Sequence, residues 1–297
     1  MSYRARLRPL KRGVAAMLQR GWGLGFRAAA YTSEVHAAAL QPVGGQRILI
    51  VAPHPDDEAM GCAGTAMLHV GAGDLVYLAV ATDGRRSKVL PDPSEVARQR
   101  KREAETAAGL MQVERLGWIG LPEGEWQVPE LTLELATLLR EIRPNVVYAP
   151  SLIDFHPEHL KVAHALGLAL QSQDDAQIRV RVYQIQVPLT ALLANLVADV
   201  SSLRSRSEAV LGAYTSQAAS IQCSHRQRRY AAERHGISLH AEEFWEMPVS
   251  RYIRLHHACP SQGPQAFRGL RYFPLTDPLA YLVGREERRA LRLQDLA

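Results

Sequence analysis

The chain has no acidic residue before Glu34, only three cysteines (Cys62, Cys223 and Cys259), and no stretch of about 18 apolar residues free of charge or proline. Each absence excludes something. Three widely spaced cysteines do not build a disulfide framework, and they point to a reducing compartment, so a cytoplasmic location is expected. Without a long apolar run, a membrane-spanning helix is not expected. Internal repeats and low-complexity tracts are missing too, which excludes a solenoid or an array. The chain is 47% hydrophobic and 22% charged, ordinary globular usage, so it is neither disordered nor fibrous. Its 297 residues would allow two domains, but one large α/β unit with extensions is the reading favoured here.

The acid-free start also explains the net charge. Seven of the 35 basic residues (Arg4, Arg6, Arg8, Lys11, Arg12, Arg20 and Arg27) lie in residues 1–33, leaving 28 against all 30 acidic ones. The body of the chain is therefore not a basic binding domain, and no nucleic-acid partner is expected. Within the basic stretch Leu10, Val14, Met17 and Leu18 fall at helical spacing, as in a helix lying on a membrane surface. An organelle transit peptide and a solvated tail fit the same composition. Residues 1–33 are thus a candidate peripheral membrane contact, and a cleaved secretory signal is not expected because Arg20 interrupts the short apolar run.

After a linker at Gln41–Gly45 the pattern alternates between strand and helix. Arg47–Ala52 reads as a strand buried on both faces, followed by strands at Leu75–Val80, Leu116–Ile119 and Val146–Ala149, with a later one within Ile178–Val187. Helices are expected at 95–111, 131–142, 203–214 and 226–235. This alternation predicts a Rossmann-like, doubly wound, mostly parallel α/β sheet flanked by helices, in a single domain over residues 45–260. Residues 1–44 form an N-terminal extension and 261–297 a C-terminal one.

Open parallel sheets bind ligands beyond the carboxyl ends of their strands. Two polar clusters stand there: Pro53-His54-Pro55-Asp56-Asp57-Glu58 after the first strand and Asp154-Phe155-His156-Pro157-Glu158-His159 after the fourth. Helix starts favour Asp and Glu through capping and the macrodipole alone, so either cluster by itself has a purely structural explanation. If the two strands are neighbours, however, the clusters meet and supply the His/carboxylate donors that zinc accepts.

The first cluster, with Gly61 and Gly64-Thr65, resembles the signature of the PIG-L/LmbE-like zinc-dependent N-acetylglucosaminyl deacetylases, and the second resembles that family's Asp-x-His-Pro-Asp-His element with Glu158 in place of Asp. Thr82-Asp83-Gly84, Arg100-Lys101-Arg102-Glu103-Ala104, Leu121-Pro122-Glu123-Gly124 and Ala213-Tyr214-Thr215-Ser216-Gln217 are similar to further family elements, so the likeness covers residues 46–220. Glu123, Glu158 and Gln112 depart from its pattern.

The resemblance implies that His54, Asp57 and His159 bind one Zn²⁺ per chain, that Asp56 is the general base, and that a protonated His156 stabilises the oxyanion. Asp154 is read as accepting a hydrogen bond from His156 and raising its pKa. Glu58 is expected to orient the metal loop. Arg100 is a candidate substrate contact, with a solvated helix face as the alternative, and Glu123 a candidate acceptor for sugar hydroxyls. His69 and His164 are given no role. A fourth ligand from Cys62 would close the open position that a catalytic zinc needs. The implied activity is removal of the acetyl group from an N-acetylglucosamine-type conjugate, releasing acetate and a free amine. Amidase action on a thiol conjugate and a non-catalytic glycan- or membrane-binding role are the alternatives.

Overall fold

A computed structural model describes residues 21, 36–173, 177–258 and 284–293. The basic stretch before Glu34, apart from residue 21, and residues 261–283 and 294–297 of the C-terminal extension lie outside the described residues. Eight strands form one sheet: β1 (Ala38–Ala39), β2 (Arg47–Ala52), β3 (Leu75–Thr82), β4 (Arg115–Leu121), β5 (Val146–Pro150), β6 (Arg179–Tyr183), β7 (Leu196–Asp199) and β8 (Ala241–Pro248). Their order is β1-β7-β8-β6-β5-β2-β3-β4. All neighbours run parallel except β8, which is antiparallel to both β6 and β7. The doubly wound, mostly parallel sheet expected from the strand–helix alternation is the observed fold.

The described helices are α1 (Asp57–Gly71), α2 (Pro93–Met111), α3 (Val128–Ile142), α4 (Pro157–Gln171), α5 (Thr190–Leu193), α6 (Arg204–Gly212), α7 (Ala218–His235), α8 (Val249–Ala258) and α9 (Arg285–Leu293). Alternation along β2 explains the two layers they form. Ile48 and Ile50 pack with α1, α2 and α6 on one face, while Leu49 and Val51 pack with α3, α4 and α8 on the other. Fully burying such a side chain stabilises by about 1.5–3 kcal/mol at most, so the β-branched runs decide which strands become central. Local signals set the helix ends. Asp92 caps α2 by accepting the Ser94 N–H at 2.9 Å, with Pro93 in the first turn. Along α3, Leu131, Leu135, Leu139 and Ile142 return every three or four residues to the core.

Two features position the site. First, β2 pairs with β3 on one side and β5 on the other (Ile48 opposite Val146, Leu49 opposite Val147), so the winding direction reverses between β2 and β5. This is the crevice where doubly wound sheets take their ligands, and the two polar clusters leave the sheet at its two sides. Second, α1 is broken at Cys62, where φ −153° and ψ 20° interrupt the helix. The break frees backbone groups that must be satisfied. Glu242 on β8 accepts the N–H groups of Gly64 (3.0 Å) and Thr65 (2.8 Å), and Arg228 on α7 donates to the Ala59 carbonyl at 2.6 Å. The two charges pair at 2.8 Å in the interior. Gly64 is required in this arrangement, because a Cβ there would stand 2.7 Å from Val200.

Candidate active site

The turn after β2 is held from below and from the side. Thr82, at the end of β3, donates its N–H and hydroxyl to the Pro53 carbonyl at 3.0 and 2.8 Å. Asp57 opens α1, and its Oδ2 accepts the His54 N–H at 2.8 Å, which folds the turn back on itself. Between them Asp56 sits at φ 132° and ψ −23°, a conformation that costs an L residue about 1–3 kcal/mol. Three contacts impose it: the Met60 N–H bonds the Asp56 carbonyl at 2.9 Å, Glu58 Oε2 accepts the Asp56 N–H at 3.3 Å, and Arg100 Nη2 donates to Asp56 Oδ1 at 3.0 Å.

His54 Nδ1, Asp57 Oδ2 and His159 Nε2 form a triangle with edges of 3.2, 3.2 and 3.4 Å. A tetrahedral zinc with ligands at about 2.0–2.1 Å separates its donors by about 3.3–3.4 Å, so the three atoms are spaced to share one such ion. The outer nitrogens of both imidazoles meet carboxylates, the arrangement that orients metal-ligating histidines. His159 Nδ1 is 3.1 Å from Asp154 Oδ2, and His54 Nε2 is 3.3 Å from Glu123 Oε1. His156 also comes close, stacked on His159 at a centroid distance of 4.4 Å, so one nitrogen from each of the three histidines lies within 4.8 Å of the others.

Burial and charge divide these groups. Burial alone would raise the Asp57 pKa, but His159 and His54 outweigh it and hold the carboxylate well below its usual range. Burial would lower the His159 pKa, but Asp57 and Asp154 pull it well above 6.5. Glu123 is buried too, and His54 brings its pKa down to about 2. Asp56 goes the other way: burial, helped by the Asp57 charge and opposed by Arg100, pushes it up to about 6. Glu58 rises to about 7 through burial, although the Tyr214 hydroxyl donates to it.

Seven of the eight singled-out side chains line one cavity of about 230 Å³: His54, Asp56, Asp57, Arg100, Glu123, His156 and His159. Asp154 stands behind His159, and its expected partnership with the His156 ring is corrected. Asp154 Oδ1 accepts the backbone N–H groups of Phe155 (2.6 Å) and His156 (2.9 Å), which turns Oδ2 toward His159, one helical turn farther on. His156 Nδ1 is buried without a hydrogen-bond partner among the described residues. Burial and the neighbouring His159 and His54 lower its pKa to about 4.

Arg100 is not on a solvated face: it is buried, and it also donates to the carbonyls of Pro55 and, at 3.4 Å, Gly84. Glu123 is no solvated loop carboxylate either, since its Oε2 accepts the Arg86 N–H at 3.0 Å. His69, given no role in the sequence, is buried between Asp74 (2.6 Å) and the Tyr148 hydroxyl (2.9 Å). The sequence reading missed Glu103, whose carboxylate accepts Thr215 Oγ1 (2.8 Å), Ser216 N (3.0 Å) and Ser216 Oγ (2.6 Å). Glu103 thereby ties the segment that carries Gln217 to α2. Met60, Gln217, Gln186, Arg86 and Ser87 complete the cavity wall. Two of the motifs quoted above, Arg100–Ala104 and Ala213–Gln217, contained this contact, but a helical carboxylate does not announce a partner 112 residues away.

Residues 49–170 match the family model described as PIG-L: GlcNAc-PI de-N-acetylase. Among curated proteins, the chain is 30% identical over 161 residues to 1D-myo-inositol 2-acetamido-2-deoxy-alpha-D-glucopyranoside deacetylase of Kineococcus radiotolerans, covering 42% of this chain and 45% of that protein. It is 32% identical over 123 residues to diacetylchitobiose deacetylase of Thermococcus kodakarensis, covering 38% of this chain and 45% of that one. The matches thus span less than half the length of these relatives. Among solved structures, N,N'-diacetylchitobiose deacetylase from Pyrococcus horikoshii superimposes with a TM-score of 0.63 over 70% of this chain and 85% of that one, a likeness of fold at 21% identity.

Proposed function

From a PIG-L segment spanning residues 49–170, which holds every singled-out site residue, we propose that the chain is a zinc-dependent deacetylase that hydrolyses the acetamide of an N-acetylglucosamine-type conjugate. The observation that carries the reading is the donor triangle of His54, Asp57 and His159 at 3.2–3.4 Å, backed by Asp154 and Glu123. Zinc bound there supplies a Lewis acid that polarises the amide carbonyl and acidifies water. The chain's own residues supply the rest. Asp56, on the cavity wall beside the ligands, takes the proton from the attacking water as general base. Arg100 positions that carboxylate through its Oδ1. His156 Nδ1, buried without a hydrogen-bond partner among the described residues, is the group offered to the developing oxyanion or to the leaving amine.

The test is acetate release from a panel of N-acetylglucosamine conjugates, before and after chelation and with zinc added back. The reading predicts release that chelation abolishes and zinc restores. Release of no acetate from any conjugate by the zinc-loaded protein would overturn it.

A further inference from the structure

We propose that Trp126 and Glu158 are a positioning pair for the metal site: their hydrogen bond ties the loop that carries Glu123 to the helix that carries His159, and so fixes the place from which Glu123 orients His54. The inference rests on the zinc-dependent reading above. The loop, residues 122–127, joins β4 to α3. Its turn closes where the Glu125 N–H bonds the Pro122 carbonyl at 2.9 Å, with Gly124 at a φ of +77° that favours glycine. Glu123 stands 3.3 Å from His54 Nε2, and its own N–H is held by Asp83 Oδ1 at 3.2 Å. Three residues on, Trp126 is buried and donates its Nε1–H to Glu158 Oε2 at 2.7 Å.

Glu158 lies in the first turn of α4, immediately before His159. One line of contacts and backbone therefore joins the two histidines of the donor triangle: His54, Glu123, the loop to Trp126, then Glu158 and His159. Lys161, one turn farther along α4, secures the same tryptophan twice. Its Nζ stands 3.8 Å from the centre of the indole ring and donates to the Trp126 carbonyl. The ring itself packs in the core layer with side chains of α3 and α4, which accounts for its bulk, but packing requires neither the acid nor the lysine. A buried indole N–H needs an acceptor, and here the acceptor sits on the element that presents a metal ligand. Side-chain length matters to this bond. Glu158 is one methylene longer than the aspartate of the pattern it resembles, and shortening it would withdraw the carboxylate from the indole. A carboxylate behind a metal-binding histidine acts only as well as its own support holds it, so the bond that fixes the loop bears on how firmly His54 is oriented.

The test is zinc affinity, from competition with a chromophoric chelator, measured beside urea midpoints. Trp126→Phe keeps a ring and removes the N–H. Glu158→Asp keeps the charge and withdraws the acceptor, whereas Glu158→Gln keeps the length and an acceptor oxygen. Affinity is expected to be about tenfold weaker in the first two variants and near wild type in the third. Glu123→Ala/Trp126→Phe is expected to bind zinc no more weakly than Glu123→Ala alone, because the pair acts through Glu123. Wild-type affinity in Trp126→Phe and Glu158→Asp, even with a lowered urea midpoint, would confine the pair to packing and overturn the proposal. Losses that add in full in the double variant would overturn it too. A wild type that takes up no zinc is a separate result, which overturns the metal reading first and this proposal with it.

Discussion

Of the side chains around the cavity, the two carboxylates behind the histidines carry the most information. Asp154 and Glu123 touch the outer nitrogens of His159 and His54, so Asp154→Asn and Glu123→Ala are expected to weaken zinc binding about 10–100-fold, measured by competition with a chromophoric chelator. Unchanged affinity would mean that these acids do not orient ligands. Position after buried strands made the two polar clusters legible, and the resemblance picked His54, Asp57 and His159 out of them, but Asp154 was misread. Chain-local reasoning pairs a side chain with its i+2 neighbour, whereas the helix start turned Oδ2 to the i+5 ring. His69 escaped for a related reason: its partner Tyr148 lies on β5, 79 residues away. Burial lowers the His69 pKa, against the pull of Asp74. A histidine with a lowered folded pKa binds its proton more readily unfolded, so its stabilising contribution is complete above about pH 6.5 and is lost as pH falls below it. The stability difference between wild type and His69→Gln, from urea midpoints, should therefore be larger at pH 7.5 than at pH 5.5.

Among the elements, β2–β6 and the long helices were legible because apolar runs and helical spacing survive without tertiary information. β7 and β8 were not. The four residues of β7 are too few to show a pattern, and β8 reads Ala-Glu-Glu-Phe-Trp-Glu-Met-Pro, with acids that a buried strand does not normally contain. The structure supplies the reason: Glu242 caps the broken α1 and pairs with Arg228, while Glu243 meets Arg234 and His235. Arg228→Met leaves Glu242 buried and unpaired, which should cost about 3–5 kcal/mol in chemical denaturation; a change under about 1 kcal/mol would show that the kink needs no counter-charge. At the other end of the chain, buried Arg288 on α9 donates to the Pro188 carbonyl at 3.1 and 2.7 Å, and Gln186, two residues earlier, lines the catalytic cavity and donates its N–H to Asp154. Arg288→Ala is expected to lower kcat more than it raises KM, because it loosens the support behind His159; loss of stability with kinetics intact would confine α9 to packing.

The whole molecule brings its chemistry together by topology. Clusters about 100 residues apart converge only because β2 and β5 are neighbours at the point where the winding reverses. The strand–helix alternation made that adjacency a reasonable expectation, but the small catalytic cavity and the buried positions of Arg100 and Glu123 depend on how helices and loops close over the sheet, which periodicity does not reveal. No helix among the described residues is long and apolar enough to cross a membrane.

The central claim joins a metal held by His54, Asp57 and His159 to a general base, Asp56, that lies beside the metal without binding it. The direct test is to measure zinc content and acetate release together on wild type and Asp56→Asn. The account predicts near one zinc per chain in both proteins, with acetate release reduced at least about a hundredfold in the variant. Full turnover in Asp56→Asn with zinc in place would contradict it.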